Sequence, residues 1–129
     1  MVEMKTKFIY TGIRVKDLKQ SVDFYTQVLG MKEKARSDIE AVKGTVVSLI
    51  THEGGPELEL NYYEKGSQHD VKYAAGEEMD HLAFQVDNLD TALAESSKAG
   101  YPPVLEMKTA TSRWAYIKDP NGIFIELFS

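Results

Sequence analysis

The chain has 129 residues, enough for one compact unit or two small modules sharing a core, and too few for two independent domains of ordinary size. A hydrophobic share of 43% and a charged share of 27% make long disorder a poor description, while 15 Lys and Arg against 20 Asp and Glu, a net charge of -5 with no dense basic run, argue against a nucleic-acid or anionic-membrane partner. No cysteine means no disulfide framework and no thiolate metal site; MVEMKTK lacks a signal-like apolar segment and no run approaches the ~20 residues of a membrane span, so a cytoplasmic location is expected.

In chain order, FIYTGIRV (8–15) is apolar and β-branched, as a strand requires. KDLKQSVDFYTQVLG follows with Leu18, Val22, Tyr25 and Leu29 on one helical face; Asp17 stands where an N-cap belongs, Gln20 can complete a capping box, and Gly30 suits the left-handed position after the last turn. Three strand-like segments come next: around 31–38, GTVVSLIT from Gly44, and ELELNYY from Glu57 after a GGP turn at 54–56. A polar segment, EKGSQHDVKYAAGEE (64–78), reads as a linker.

After the linker the order begins again. MDHLAFQV (79–86) predicts a strand and Asn88 an N-cap; LDTALAESSKAG predicts a helix with Leu89, Leu93 and Ser96 on one face, closed by Gly100. PVLEM, SRWAYIK and IFIELF predict three more strands, the last two joined through DPNG (119–122), whose Pro and Gly fit a tight hairpin loop. The expected fold is α+β: a single 1–129 domain of two tandem βαβββ modules, about 7–63 and 79–128, making a curved mixed sheet around a cleft with helices outside.

Superposing the modules sets Val15 on Val86, Asp17 on Asn88, Leu18 on Leu89, Tyr10 on His81 and Glu59 on Glu126. Each half therefore carries a potential ligand on its first strand and a Glu on its last, with apolar neighbours on both sides. A carboxylate in such a setting is seldom fully buried unless paired or bound to a metal, so Glu59 and Glu126 point to a shared site. His52 and His69 have no such counterpart and read as surface or satisfied core residues. Trp114, Phe124 and Phe128 read as pocket wall or core, and GEEMD (76–80) as a solvated turn, with Glu78 and Asp80 close to His81 in sequence.

IRVKDLKQSVDFYTQVLGMK, LELNYY, DHLAFQVDNLD and KDPNGIFIELF, in that order over nearly the whole chain, resemble the vicinal oxygen chelate superfamily, most closely its glyoxalase I (lactoylglutathione lyase) branch. The resemblance implies a divalent metal held by side chains of both modules and conversion of a glutathione hemithioacetal of methylglyoxal into a lactoyl thioester. Carried over, the metal residues are Glu59, His81 and Glu126; Tyr10 stands where the branch has His or Gln. Arg14 matches an Arg that holds a glutathione carboxylate, a task for its bidentate fork. Tyr63 falls where an Asn contacts glutathione. Trp114 completes the expected substrate-binding set. The resemblance also implies a homodimer with two sites.

One imidazole and two carboxylates suit Zn²⁺ or Ni²⁺, and also Mn²⁺, Co²⁺ or Fe²⁺. Glu126, with Glu59 opposite, is the expected proton carrier, and Tyr10, a neutral phenol and hence a poor ligand, the expected hydrogen-bond donor to a substrate oxygen. Two other readings stay open: an acyl-thioester epimerase on the same scaffold, and a metal-free small-molecule binder of the bleomycin-resistance kind. Ring-cleaving oxygenation is weaker, since it prefers two His and one carboxylate and the matched positions offer one His.

Overall fold

A computed structural model describes residues 10–74, 77, 79 and 81–129. The first module runs β1 (Tyr10–Arg14), α1 (Leu18–Asp23), β2 (Lys32–Ile39), β3 (Gly44–Ile50) and β4 (Glu57–Tyr63); the second runs β5 (His81–Gln85), α2 (Leu89–Lys98), β6 (Leu105–Lys108), β7 (Arg113–Lys118) and β8 (Phe124–Phe128). The strands make two four-stranded mixed sheets of the same order, β1-β4-β3-β2 and β5-β8-β7-β6. In each, the first strand pairs parallel with the last and the other pairs are antiparallel. The repeat read from the sequence is thus a repeat of topology.

Local chemistry accounts for the elements. Asp17 caps α1 by accepting from the Gln20 backbone N–H at 2.9 Å, and Asn88 caps α2 by accepting from the Thr91 N–H at 2.9 Å. Gly30 and Gly100 follow the helices at φ 71° and 98°, the left-handed region that glycine enters without penalty. Leu58 and Leu60 in β4, and Ile125 and Leu127 in β8, turn into the core, while the alternate residues face away. β2 is exposed throughout and reads KEKARSDI; as an edge strand it presents charges that discourage pairing with another chain.

The first helix is not the uniform element that the apolar spacing predicts. From Phe24 to Val28 it widens into a π-helical turn, closed by the Leu29 N–H donating to the Phe24 carbonyl. The wider turn buries both Phe24 and Tyr25, neighbours that a regular helix would point about 100° apart. A short 3-10 turn, Glu40–Val42, with Lys43 in left-handed backbone, joins β2 to β3 and had no sequence signal.

Apolar side chains from both modules form one core. Ile13, Val15, Val47, Leu49, Leu58 and Leu60 join Ile117, Ile123, Ile125, Leu127, Leu89 and Leu93 across Phe24 and Tyr25. The DPNG segment does form the β7–β8 turn, but its two polar side chains, Asp119 and Asn121, are buried rather than presented to water. Asp119 Oδ1 accepts from the backbone N–H groups of Asn121 and Ile123, both at 2.8 Å, shaping the turn. Its other oxygen accepts from the Tyr25 hydroxyl at 3.0 Å. Asn121 accepts from the Lys16 backbone N–H at 2.8 Å and donates to Ser21 Oγ at 3.0 Å. Three polar contacts of the second module thus reach α1, the π-helical turn after it or the approach to it, in a region dry enough for each to matter.

Burial, then the adjacent Asp119 carboxylate, push the Tyr25 phenol far above its ordinary range. Because the folded value is raised, Tyr25 contributes stability that is fully present below about pH 10, the unfolded value, and is lost as pH rises above it. Tyr25→Phe should cost about 1–3 kcal/mol at neutral pH by leaving Asp119 short of a donor. It should also flatten the alkaline fall in stability, both read from urea denaturation at a series of pH values.

Candidate functional site

Each sheet has one face against the core and one face away from it, and the residues singled out from the sequence lie on the latter. In the first module Tyr10, Gly12 and Arg14 of β1 are in register with Glu57, Glu59 and Asn61 of β4. In the second, His81, Ala83 and Gln85 of β5 are in register with Phe124, Glu126 and Phe128 of β8. Tyr10 and His81 therefore occupy equivalent positions, and Glu59 and Glu126 stand two residues farther along the partner strand in both cases. The stagger places each first-strand side chain diagonal to its Glu on one sheet face.

The second module holds a small polar cluster. The Tyr116 hydroxyl donates to Glu126 Oε1 at 3.2 Å, and the Tyr116 ring stands edge-on to His81 at 6.1 Å and to Phe124 at 6.0 Å. Tyr116 is the Cα partner of Glu126 across β7 and β8. Sequence reasoning passed over it, although the alternation in SRWAYIK puts it on the face of Trp114. Trp114, Glu126 and Phe128 line a cavity of about 610 Å³ with the loop 109–112. Leu105 and Met107 share this face through their partners Tyr116 and Trp114 and, with Phe124, lie exposed.

In the first module Glu59 is half-buried beside Ser48 and Gly12. A Cβ at Gly12 would meet Asn61 Nδ2 at 3.2 Å, so a larger residue there would push the Asn61 side chain by a few tenths of an ångström. Tyr10 is 45% exposed. A second carboxylate, Glu57, is Tyr10's register partner; Lys34, turned toward it at the β2 bulge, bonds it at 3.0 Å and, with a smaller contribution from Ser48, holds its carboxyl below the usual range.

Arg14 stands at the other end of β1. Its guanidinium lies 5.3 Å from the Tyr63 ring centroid and 5.0 Å from that of Tyr73, its Nη1 donates to the Val71 carbonyl at 3.1 Å, and its Nη2 is 3.9 Å from Asp70. The polar segment after β4 is thus more than a tether, since it folds back onto Arg14 and closes a cavity of about 520 Å³. A lone Tyr in a polar stretch carried no signal of this role. His69 packs its ring 5.1 Å from that of Tyr63, and His52 lies exposed beside Thr51. Glu78 and Asp80 lie outside the described residues.

Within one chain the expected metal residues are divided: Glu59 on the first sheet, His81 and Glu126 on the second. Among the described residues, no group of three or more His, Asp or Glu is close enough to hold a metal ion. The arrangement is two half-sites, each with a Glu and a first-strand donor, one rich in aromatic rings and the other ending in an aromatic-stacked Arg. Among the described residues no helix is long and apolar enough to cross a membrane.

The profile of the Glyoxalase/Bleomycin resistance protein/Dioxygenase superfamily matches residues 7–127. The chain is 36% identical over 125 residues to the lactoylglutathione lyase of Escherichia coli O157:H7, covering 94% of this chain and 90% of that protein. Among solved structures, the trypanothione-dependent glyoxalase I of Leishmania major superposes with a TM-score of 0.81 at 31% identity, covering 97% of this chain and 87% of that one. A glyoxalase family protein from Bacillus cereus superposes at 0.82 with 19% identity, over 98% and 96% of the two chains, a likeness of fold. With the family profile spanning both modules and the paired βαβββ topology reproduced, this chain belongs to the glyoxalase/bleomycin resistance protein/dioxygenase superfamily.

Proposed function

We propose that this protein is a glyoxalase I-type lyase, acting on the hemithioacetal that a thiol of the glutathione kind forms with a 2-oxoaldehyde. The observation that carries the reading is the identical stagger of Tyr10 with Glu59 and of His81 with Glu126 on equivalent sheet faces. The likeness to a lactoylglutathione lyase at 36% identity supports the reaction class. The half-sites become whole where the first sheet of one chain faces the second sheet of another. Exposed Tyr10, Phe124, Leu105 and Met107 on those faces are apolar surface that a homodimer would cover.

One imidazole and two carboxylates suit a divalent ion, whereas the Tyr10 phenol does not, so Glu59, His81 and Glu126 would hold it. When bound, Zn²⁺ or Ni²⁺, with Mn²⁺, Co²⁺ or Fe²⁺ as alternatives, would supply Lewis-acid polarisation of two neighbouring substrate oxygens. Glu126 takes the proton from the carbon that bears sulfur, and the adjacent carbonyl carbon receives a proton from Glu126 or from Glu59 opposite, so the hydroxyl and carbonyl exchange places. Tyr116 holds the Glu126 carboxylate in orientation. Tyr10 donates to a substrate oxygen as it gains negative charge. Arg14, Tyr63 and Trp114 line the two cavities that would receive the thiol portion.

One observation favours a second reading. Tyr10 in the first-strand position fits a small-molecule binder that needs no metal, and a Tyr10→His variant separates the two. In a lyase it should raise affinity for Ni²⁺ or Zn²⁺ by roughly tenfold, read by calorimetry; in a binder it should leave metal affinity negligible.

Light scattering in solution should give twice the 14.5 kDa chain mass, and Met107→Asp should shift it toward the monomer. Protein purified without an affinity tag should carry stoichiometric metal by elemental analysis, lost in His81→Ala. Glu126→Gln should lower turnover of the methylglyoxal–glutathione adduct by roughly 10²–10⁴-fold with secondary structure unchanged by circular dichroism. Metal-free parent protein inert with added Ni²⁺ and Zn²⁺ would sink the lyase reading.

A further inference from the structure

The charges of β2 do not all stay at the sheet edge. Arg36 pairs with Glu33 inside the strand and Asp38 accepts from the Thr45 hydroxyl on neighbouring β3, whereas Lys34 passes over β3 and bonds Glu57 on β4 at 3.0 Å. The bulge between Glu33 and Ala35 supplies the aim. It turns Lys34 onto the face where Ala35, Ser48, Glu59 and Gly12 stand in one register row across the four strands. Three of those four side chains are small, so Glu59 stands in an open trough. One end of the trough is formed by Arg14 and Asn61, the other by Tyr10, Glu57 and Lys34, each about 7 Å along the strands from Glu59. The Tyr10 ring leans over Gly12, its Cε2 3.7 Å from where a Cβ there would lie, and so borders the same space.

The Lys34 end is a poor surface for a small apolar group. Glu57, with its side chain 24% exposed, and Lys34 would both lose water to a methyl or phenyl group that returns no hydrogen bond. An anionic group fares no better, since Lys34 is already matched by Glu57 and Glu59 adds a second negative charge. A hydroxyl suits the pair on both counts, because it accepts from the Lys34 ammonium and donates to the Glu57 carboxylate.

From this geometry we infer that Lys34 and Glu57 are specificity residues for the aldehyde-derived part of the substrate, and that this part carries a neutral hydroxyl on the carbon next to the reacting pair, as a sugar-derived 2-oxoaldehyde does and methylglyoxal does not. The inference rests on the lyase reading, which puts the reacting carbons at Glu59 and Glu126 and the thiol toward Arg14, and so the remaining substituent toward Tyr10 and Glu57. The hydroxyl takes no part in the proton transfer; it fixes the substituent against the end of the trough.

The experiment compares the glutathione adducts of hydroxypyruvaldehyde and of methylglyoxal, which differ by that one hydroxyl. The full-length protein supplied with Ni²⁺ or Zn²⁺ is tested beside a Lys34→Leu, Glu57→Val double variant, which leaves no unpaired charge, and beside Lys34→Arg. The parent should favour the hydroxylated adduct by about tenfold in kcat/KM; the double variant should lose or reverse that preference while keeping its rate on the methylglyoxal adduct, and Lys34→Arg should retain it. A parent that does not favour the hydroxylated adduct, or a preference that survives in the double variant, overturns the assignment. Calorimetry of the two thioester products, S-glyceroylglutathione and S-lactoylglutathione, on the same three proteins keeps the two readings apart. If neither adduct is turned over, yet the glyceroyl thioester binds about tenfold tighter and loses that advantage in the double variant, the specificity residues stand and the lyase reading falls. Equal binding of the two thioesters without turnover overturns both.

Discussion

The contact on which the molecule depends is the docking of the 119–122 turn against the first helix. A pair of modules joined by a polar segment could take many relative positions, because apolar burial is non-directional. Asp119 and Asn121 remove that freedom. Through hydrogen bonds to Tyr25, Ser21 and the Lys16 amide they let the second module meet α1 and its approach in one register. Groups this buried are costly when mispaired, so alternative registers are penalised by more than the few contacts would suggest. The π-helical turn serves the same end by bringing the Tyr25 hydroxyl to Asp119 while Phe24 remains in the core.

That docking has a chemical consequence. With the core between α1, α2 and the inner sheet faces, the opposite faces are left to carry Tyr10, Glu59 and Arg14 on one sheet and His81, Tyr116 and Glu126 on the other. Two carboxylates such as Glu59 and Glu126 brought together in a dry cleft of a single chain would repel each other and destabilise it. Dividing them between two sheets avoids that cost in the isolated chain. Each half is steadied by its own neighbours: Tyr116 for Glu126, and Lys34 for Glu57 beside Glu59.

Much of the fold was legible because it is written twice. Asp17 and Asn88 as caps, Gly30 and Gly100 as helix ends, and the alternation in ELEL and FIEL are local signals whose physics needs no partner. The pairing of Tyr10 with His81 and of Glu59 with Glu126 followed from the same duplication. The π turn, the left-handed Lys43 and the burial of Asp119 and Asn121 were not legible. Each depends on what the segment packs against: two adjacent aromatics sharing one core, and a polar turn meeting donors about a hundred residues away. Tyr73 and Tyr116 were missed for the same reason, since an aromatic residue announces burial or stacking only once its neighbours are known.

The amino-acid sequence by itself determined the order of elements, the tandem repeat and the equivalence of the two donor pairs, since periodicity, capping and turn chemistry act over a few residues. Tertiary structure decided that these pairs lie on two separate sheets, that the polar segment folds over Arg14, and that Lys34 reaches Glu57 across β3. Those facts arise from contacts between residues far apart in the chain, which depend on how whole surfaces fit and not on any local pattern.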